Sequence, residues 1–135
     1  MTTTTQTELD NIALIRRGYE AFGKGDMQTL ATMIAPEARW HVPPTGIFTG
    51  EYAGRDAMFG YFAQLHRESE GTLRAVPLAM AASGDRVFVQ EAVTAQRKGR
   101  TLEQSEVCVF TVSGGQVRDV REYMENHSEA ARFWG

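Results

Sequence analysis

The sequence predicts an α+β domain: helices first, then a strongly curved, mainly antiparallel β-sheet. Three observations predict it. Apolar residues recur at intervals of three and four in the first half. They alternate with polar residues in the second half. The second-half segments are joined by short Gly-containing turns, which suit antiparallel neighbours. The chain has 135 residues, enough for one domain. Its 42% hydrophobic and 23% charged residues exclude intrinsic disorder as the general state.

Residues 1–7 are Thr-rich and are expected to form a disordered leader, with the domain over residues 8–135. Ile12, Ile15, Tyr19 and Phe22 share one helical stripe, with Asp10 or Asn11 as candidate caps. Gly23 to Gly25 ends that helix, and Asp26 caps a second. The second helix turns Met27, Leu30, Met33 and Ile34 inward and stops at Pro36. Ala38 to Val42 is a short strand closed by Pro43-Pro44, and Thr45 to Gly54 is a loop. Asp56 caps a third helix with Met58, Phe59, Phe62 and Leu65 on its buried side. Strands follow over 72–83 (bulged at Pro77), 86–96, 101–112 and 116–124. The turns between them are Gly84-Asp85, Lys98-Gly99 and Ser113-Gly114-Gly115, and residues 125–135 form a tail. Three helices cannot cover both faces of a four- or five-stranded sheet. One bent sheet wrapped around them leaves a cone with an open mouth, and its other face is free to pair with a second subunit.

Several function classes are disfavoured. The net charge is −3 with scattered charges, which argues against nucleic acid or an anionic membrane as partner. No stretch free of charged side chains approaches the roughly 20 residues that span a bilayer. One cysteine, Cys108, permits no internal disulfide. With no basic or apolar segment of a secretory signal at the start, a cytoplasmic location is expected. His41, His66 and His127 lack metal-ligand spacing, so no metal is expected. Gly23-Lys24-Gly25 is a helix-ending turn and not a phosphate or dinucleotide loop, so no cofactor is expected either.

The stretch RRGYEAFGKGDMQTLATMIAPEARWHVPPTGIFTGEYAGRDAMFGYF resembles the front half of a SnoaL-like protein, in the nuclear transport factor 2-like or ketosteroid isomerase-like superfamily. CVFTVSGGQVRDVREY resembles its closing hairpin, and ARFWG a common tail. The resemblance spans roughly residues 8–135 and implies the cone-shaped fold and a homodimer. It does not imply a reaction, because such folds host isomerases, cyclases, hydrolases, dehydratases and plain binding proteins. The isomerase branch carries a tyrosine on its first helix, where this chain has Gly18, one residue before Tyr19. Its basic aspartate falls on Val42 and its second acid near Val107 or Cys108, so all three groups are missing. The cyclase branch carries an aspartate on the last strand, whose nearest counterparts are Glu122 and Glu125.

The chemistry left to the residues themselves is acid–base. Tyr19, Trp40, Phe59 and Phe62 line the expected cone, as a site for a small hydrophobic molecule or simply as core. Glu106 alternates with Cys108 and Phe110, and Glu122 with Val120 and Met124. A carboxyl in apolar company has a raised pKa, and two together raise one further, which makes a base and an acid near neutrality. Whether both point inward depends on register. A two-residue Gly114-Gly115 turn sets Glu106 opposite Tyr123 and turns Glu122 away; a three-residue turn sets Glu106 opposite Glu122. The second is preferred because it gathers Cys108, Phe110, Val120 and Met124. The candidate catalytic residues are therefore Glu122, Glu106, His41 and Tyr19. The candidate substrate contacts are Trp40, Phe59, Phe62, Cys108, Phe110, Val120 and Met124. Alternation turns His41 away from the cone unless the Pro43-Pro44 kink re-aims it. Three functions stay open: a cofactor-free acid–base enzyme on a cyclic or polyketide-like substrate, a non-catalytic binding protein, and an interaction module whose sheet face binds a different protein.

Overall fold

Thr5 starts the first helix. Its hydroxyl accepts from the Glu8 N–H, and the Glu8 carboxylate accepts from the Thr5 N–H, a capping box for α1 (Gln6–Lys24). Neither Asp10 nor Asn11 is the cap, and Gln6 and Thr7, expected in the leader, form the first turn. This computed structural model describes residues 3–135; Met1 and Thr2, also assigned to the leader, lie outside the described residues. Gly25 ends α1 at φ 68°, and Asp26 caps α2 (Met27–Met33) by accepting from the Thr29 N–H.

The second helix is shorter than expected. Proline disfavours helical backbone at Ala35, and Ile34 before it pairs with Val117 across the sheet, so extended structure takes over ahead of Pro36. Strand β1 (Ile34–Val42) begins two residues before the proline, and Ile34 is buried as a strand residue. The expected loop after it holds a 3-10 turn (Gly46–Phe48) and strand β2 (Gly50–Ala53). Helix α3 (Arg55–Glu68) is capped by Gly54; Asp56 sits in its first turn instead, where its charge suits the helix dipole. Its buried side is Met58, Tyr61, Phe62 and Leu65, with Tyr61 in the place expected for Phe59. Strands β3 (Arg74–Ser83), β4 (Arg86–Arg97), β5 (Arg100–Ser113) and β6 (Gln116–Met124) follow. The expected irregularity near Pro77 appears as a register shift between Pro77 and Ala79. The tail is helical: Asn126 caps α4 (His127–Trp134), which buries Ala130, Phe133 and Trp134.

The six strands form one sheet in the order β2-β1-β6-β5-β4-β3. Only the β1–β6 pair is parallel. Helix α1 packs on β3 and β4, and α3 on β1 and β2, so the helices fill the concave side. The predicted α+β class, with helices held in a curved sheet, is the observed one.

The β5–β6 hairpin follows neither expected register throughout. Gly114 and Gly115 have φ of 60° and 73°, a two-residue turn that pairs Ser113 with Gln116. A shift then follows, because Val112 pairs with Val117 but Thr111 pairs with Asp119. Arg118 is the extra residue of this bulge. Its Nε donates to the Ser113 carbonyl and its guanidinium pairs with Glu37. The bulge reverses the facing of everything beyond it. Cys108 therefore pairs with Glu122, and Glu106 with Met124. Both glutamates face inward, as preferred, but diagonally rather than opposite one another.

Helix α4 closes one side of the core through a tight approach. Gly46 has φ 72°, and a Cβ there would lie 2.9 Å from the Gly135 backbone nitrogen. The Gly46→Ala change is expected to cost at least about 1 kcal/mol from the left-handed backbone alone. Chemical denaturation measures that loss, and displacement of α4 should red-shift the fluorescence of Trp134.

Candidate functional site: an acidic pocket in the concave face

Two neighbouring rungs of the sheet carry the site. The first is Val89, Cys108 and Glu122; the second is Glu91, Glu106 and Met124. All lie on the concave face, beneath α1 and α3. Glu91, Glu106, Glu122 and Met124 border a cavity of about 130 Å³, close to the ~150 Å³ hollow that admits benzene in another protein. Its walls include Tyr19 and Phe22 from α1, Trp40 from β1, Tyr61 and Phe62 from α3, and Phe110 from β5. Trp40 meets Phe62 edge-on, with centroids 5.2 Å apart at 87°. Tyr61 stacks on Tyr52 at 4.5 Å and 22°.

Three carboxyl groups reach this wall: Glu91, Glu106 and Glu122. Glu91 and Glu106 are 5% and 8% exposed. Glu122 keeps more accessible surface, but that surface opens into the cavity, and protein surrounds its carboxyl. Among the described residues, no Lys, Arg or His side chain lines the cavity.

The three acids have different environments. Glu91 is raised by burial, partly offset by hydrogen bonding from the Cys108 thiol and by the adjacent Tyr19 hydroxyl. Glu106 is pushed up to about 8, first by burial and then by the charge of Glu91. Glu122 is raised well above the ordinary value by burial, then by Glu106 and Glu91. Trp40 and Tyr61 act against that rise. Tyr61 donates to Glu122 Oε2 over a long 3.5 Å. The Trp40 indole N–H lies toward Glu122 without hydrogen-bond geometry and remains a buried donor with no partner. Burial also pushes the Tyr19 and Tyr61 phenols and the Cys108 thiol upward. Burial thus opposes ionisation at all three, and hydrogen-bond donors favour the anion at Glu91 and at Glu122.

The predicted residues divide accordingly. Tyr19, Trp40, Phe62, Glu106, Phe110, Glu122 and Met124 line the cavity. His41 does not: it sits on the outer face, where its Nε2 meets Asp119 Oδ1 at 2.8 Å. No kink re-aims it, because β1 alternates regularly from Arg39 to Val42 against β2. Phe59 packs beside Phe62 (6.2 Å) and stays off the cavity wall. Cys108 and Val120 lie behind the wall, the thiol turned to Glu91 and Val120 in the rung of Phe110 and Trp40. Glu125, the alternative to Glu122, is exposed. Glu91 and Tyr61 went unnoticed in the sequence. Glu91 alternates with Val89 and Val93, the same signal that singled out Glu106 and Glu122. Tyr61 fits the Met58, Phe62, Leu65 stripe at spacings of three and four.

Residues 15–120 match the family described as the SnoaL-like domain. The chain belongs to that family. A relative of the SnoaL-like chain, an uncharacterized protein of Mycobacterium bovis, is 26% identical over 129 residues, covering 95% of this chain and 98% of its own. The solved structure of Bal32a, from a soil-derived mobile gene cassette, is 36% identical with a TM-score of 0.92, over 95% of this chain and 98% of that one. A putative SnoaL-like polyketide cyclase from Jannaschia shares the fold at TM-score 0.77 and 19% identity, over 93% and 92% of the two chains. The family fold is one used for small-molecule binding or catalysis. Among the described residues, no helix is long and apolar enough to cross a membrane, and no group of His, Cys, Asp and Glu is placed to hold a metal ion.

The raised acids give this SnoaL-like chain an unusual pH response. Glu106 binds its proton more tightly when folded, with a folded pKa of about 8 against an ordinary 4.5. Between those values the native state holds more protons than the unfolded state, so stability falls as pH rises. The urea midpoint is expected to decline from pH 5 to pH 8. Glu106→Gln should flatten part of that decline and be more stable than the parent at pH 8 by on the order of 2 kcal/mol. A midpoint that climbs over this range in the parent contradicts the raised carboxyls.

Proposed function

We propose that the chain is a cofactor-free acid–base catalyst acting on a small, hydrophobic, cyclic or polyketide-like molecule. One observation carries the reading: three carboxyl groups of unequal basicity on one apolar cavity wall. Environments that push neighbouring acids apart supply a base and an acid at one pH. Glu91 serves as the base, because hydrogen bonding favours its anion. Glu106 and Glu122 hold the protons to be delivered. A carboxylate Glu91 takes a proton from carbon beside a substrate carbonyl. The Tyr61 hydroxyl or the Trp40 N–H donates to the oxygen where charge develops. A protonated glutamate then delivers a proton to the new position, and the enzyme returns to its starting charge. The name of the Jannaschia cyclase fits this substrate class.

The test is exchange of carbon-bound hydrogen in D2O, followed by NMR, over a panel of single-ring ketones and diketones. Glu91→Gln and Glu122→Gln should each slow exchange by about 100-fold or more with the fold retained. In the parent, exchange should fall above pH 8 as Glu106 loses its proton. A Glu91→Gln/Glu122→Gln variant that exchanges as fast as the parent sinks the proposal. The second reading, a binding protein without catalysis, is favoured by the absence of the isomerase branch's three groups, whose places fall on Gly18, on Val42 and near Val107 or Cys108. It expects ligand affinity to survive both replacements within about tenfold.

The same proposal includes a second copy of the chain on the outer sheet face, and a cytoplasmic setting in keeping with a lone, buried, free cysteine. Val76, Phe88, Val107 and Tyr123 are all exposed on that face, Tyr123 by 57%. The parent is expected to sediment as a dimer and Tyr123→Glu/Phe88→Glu as a monomer, since charges placed in an apolar interface stay unpaired. A parent that sediments as a monomer at micromolar concentration overturns this part alone.

A further inference from the structure

We propose that Gly18 sets which ligands the cavity takes: its absent side chain leaves a notch in α1 that seats a short alkyl substituent on the ligand's ring. This deepens the acid–base reading by adding an alkyl branch to the substrate class, and it rests on that reading for the cavity as the ligand site.

The first observation is a gap in an otherwise regular stripe. Leu14, Ile15, Tyr19 and Phe22 of α1 line the cavity, and so does Gly18. Leu14, Gly18 and Phe22 follow one another at intervals of four, so they form one row along the helix. An amphipathic helix packed on a core carries apolar side chains along such a row. Here the middle place holds no side chain, with Leu14 and Phe22 to either side.

The second observation is that the fold does not ask for glycine at this place. Gly18 lies in the interior of α1, and its φ is not positive. Glycine in a helix interior is less stable than alanine. Crowding does not require it either. Apart from its chain neighbours and the backbone of α1, the nearest atom to a Cβ built at Gly18 is Met33 Cε of α2, at 3.7 Å, an ordinary van der Waals contact with the end of a flexible side chain. Gly46 is the contrasting case, where a Cβ would meet backbone at 2.9 Å. Gly23 and Gly60 also lie in helices, but both are exposed and neither lines the cavity. What distinguishes Gly18 is the space it leaves on the cavity side.

The surroundings decide what fits that space. The side chains of Leu14, Phe22 and Met33 offer no hydrogen-bond donor, and Leu30 and Ile34 extend the same apolar lining. A hydroxyl or a charge placed there loses its water and gains no partner, whereas an alkyl group gains from burial. The carboxyl groups stand on strands β4, β5 and β6, and the notch is on α1. A ligand seated in it turns its alkyl branch to the helices and leaves its polar group for the sheet.

The experiment compares benzene with ethylbenzene, two probes that differ only in the branch, by isothermal titration calorimetry. The parent should bind ethylbenzene at least tenfold tighter than benzene. In Gly18→Ala that preference should shrink to within about threefold while the urea midpoint rises, because alanine suits the helix and its methyl occupies the notch. Gly18→Leu should reject ethylbenzene altogether. Gly60→Ala is the control: its urea midpoint should also rise, with the tenfold preference unchanged. A parent without the preference, or a Gly18→Ala variant that keeps it, overturns the inference. So does a urea midpoint that falls in Gly18→Ala, which makes the glycine a requirement of the fold. Neither probe has an exchangeable carbon-bound hydrogen beside a carbonyl, so the result is independent of catalysis. If the preference does not follow residue 18 while ketone exchange still depends on Glu91 and Glu122, the notch is wrong and the acid–base reading stands. If the preference follows residue 18 but no ketone exchanges, the reverse holds.

Discussion

Three carboxyl groups enclosed with no positive side chain on their wall form the constraint around which the rest is arranged. A buried carboxylate costs several kcal/mol unless it finds a charge or several donors. Burial raises the pKa of all three groups, and hydrogen-bond donors on Glu91 offset part of its cost. The surrounding core, with Met58, Val87, Val89 and Val120 fully buried, supplies the apolar burial that offsets what remains. Sites that store such unfavourable groups are where chemistry is usually performed.

The bulge at Arg118 makes the constraint possible. Without it, the two-residue Gly114-Gly115 turn sends Glu122 to the outer face with Tyr123 turned in. With it, the strand slips by one residue and Glu122 joins the rung of Cys108. The bulge is fixed at a distance from the site, by Arg118 reaching the Ser113 carbonyl and Glu37. A single irregular residue near the hairpin turn thus decides which chemistry the far end of the strand can offer.

The fold and the site carry separate information. The SnoaL-like match and the likeness to Bal32a concern architecture. By the resemblance, the isomerase branch's three groups fall on Gly18, on Val42 and near Val107 or Cys108, none of which supplies them. In their place are an acid on each of three adjacent strands and a tyrosine on α3 that reaches Glu122. The cone is shared; the proton inventory is this chain's own.

Periodicity determined most of the architecture. The stripes of Ile15 and Phe62 and the alternation of Val87 with Val89 reflect backbone geometry, which is local and readable from spacing. That reading gave the α+β class, the Pro77 irregularity, the hairpin turns and two of the three inward acids. Glu91 and Tyr61 were legible by the same rules. Other features were decided by contacts between residues far apart in sequence. The start of β1 before Pro36 depends on pairing with β6, and α4 depends on the core that receives Phe133 and Trp134. The outward turn of His41 is completed by Asp119, 78 residues away. The bulge that aims Glu122 needs Arg118 to reach Glu37 on β1, 81 residues away. Local sequence sets which face a strand prefers, but register is a relation between strands. Only the assembled sheet could settle which acids share the cavity and that, among the described residues, no Lys, Arg or His side chain lines it.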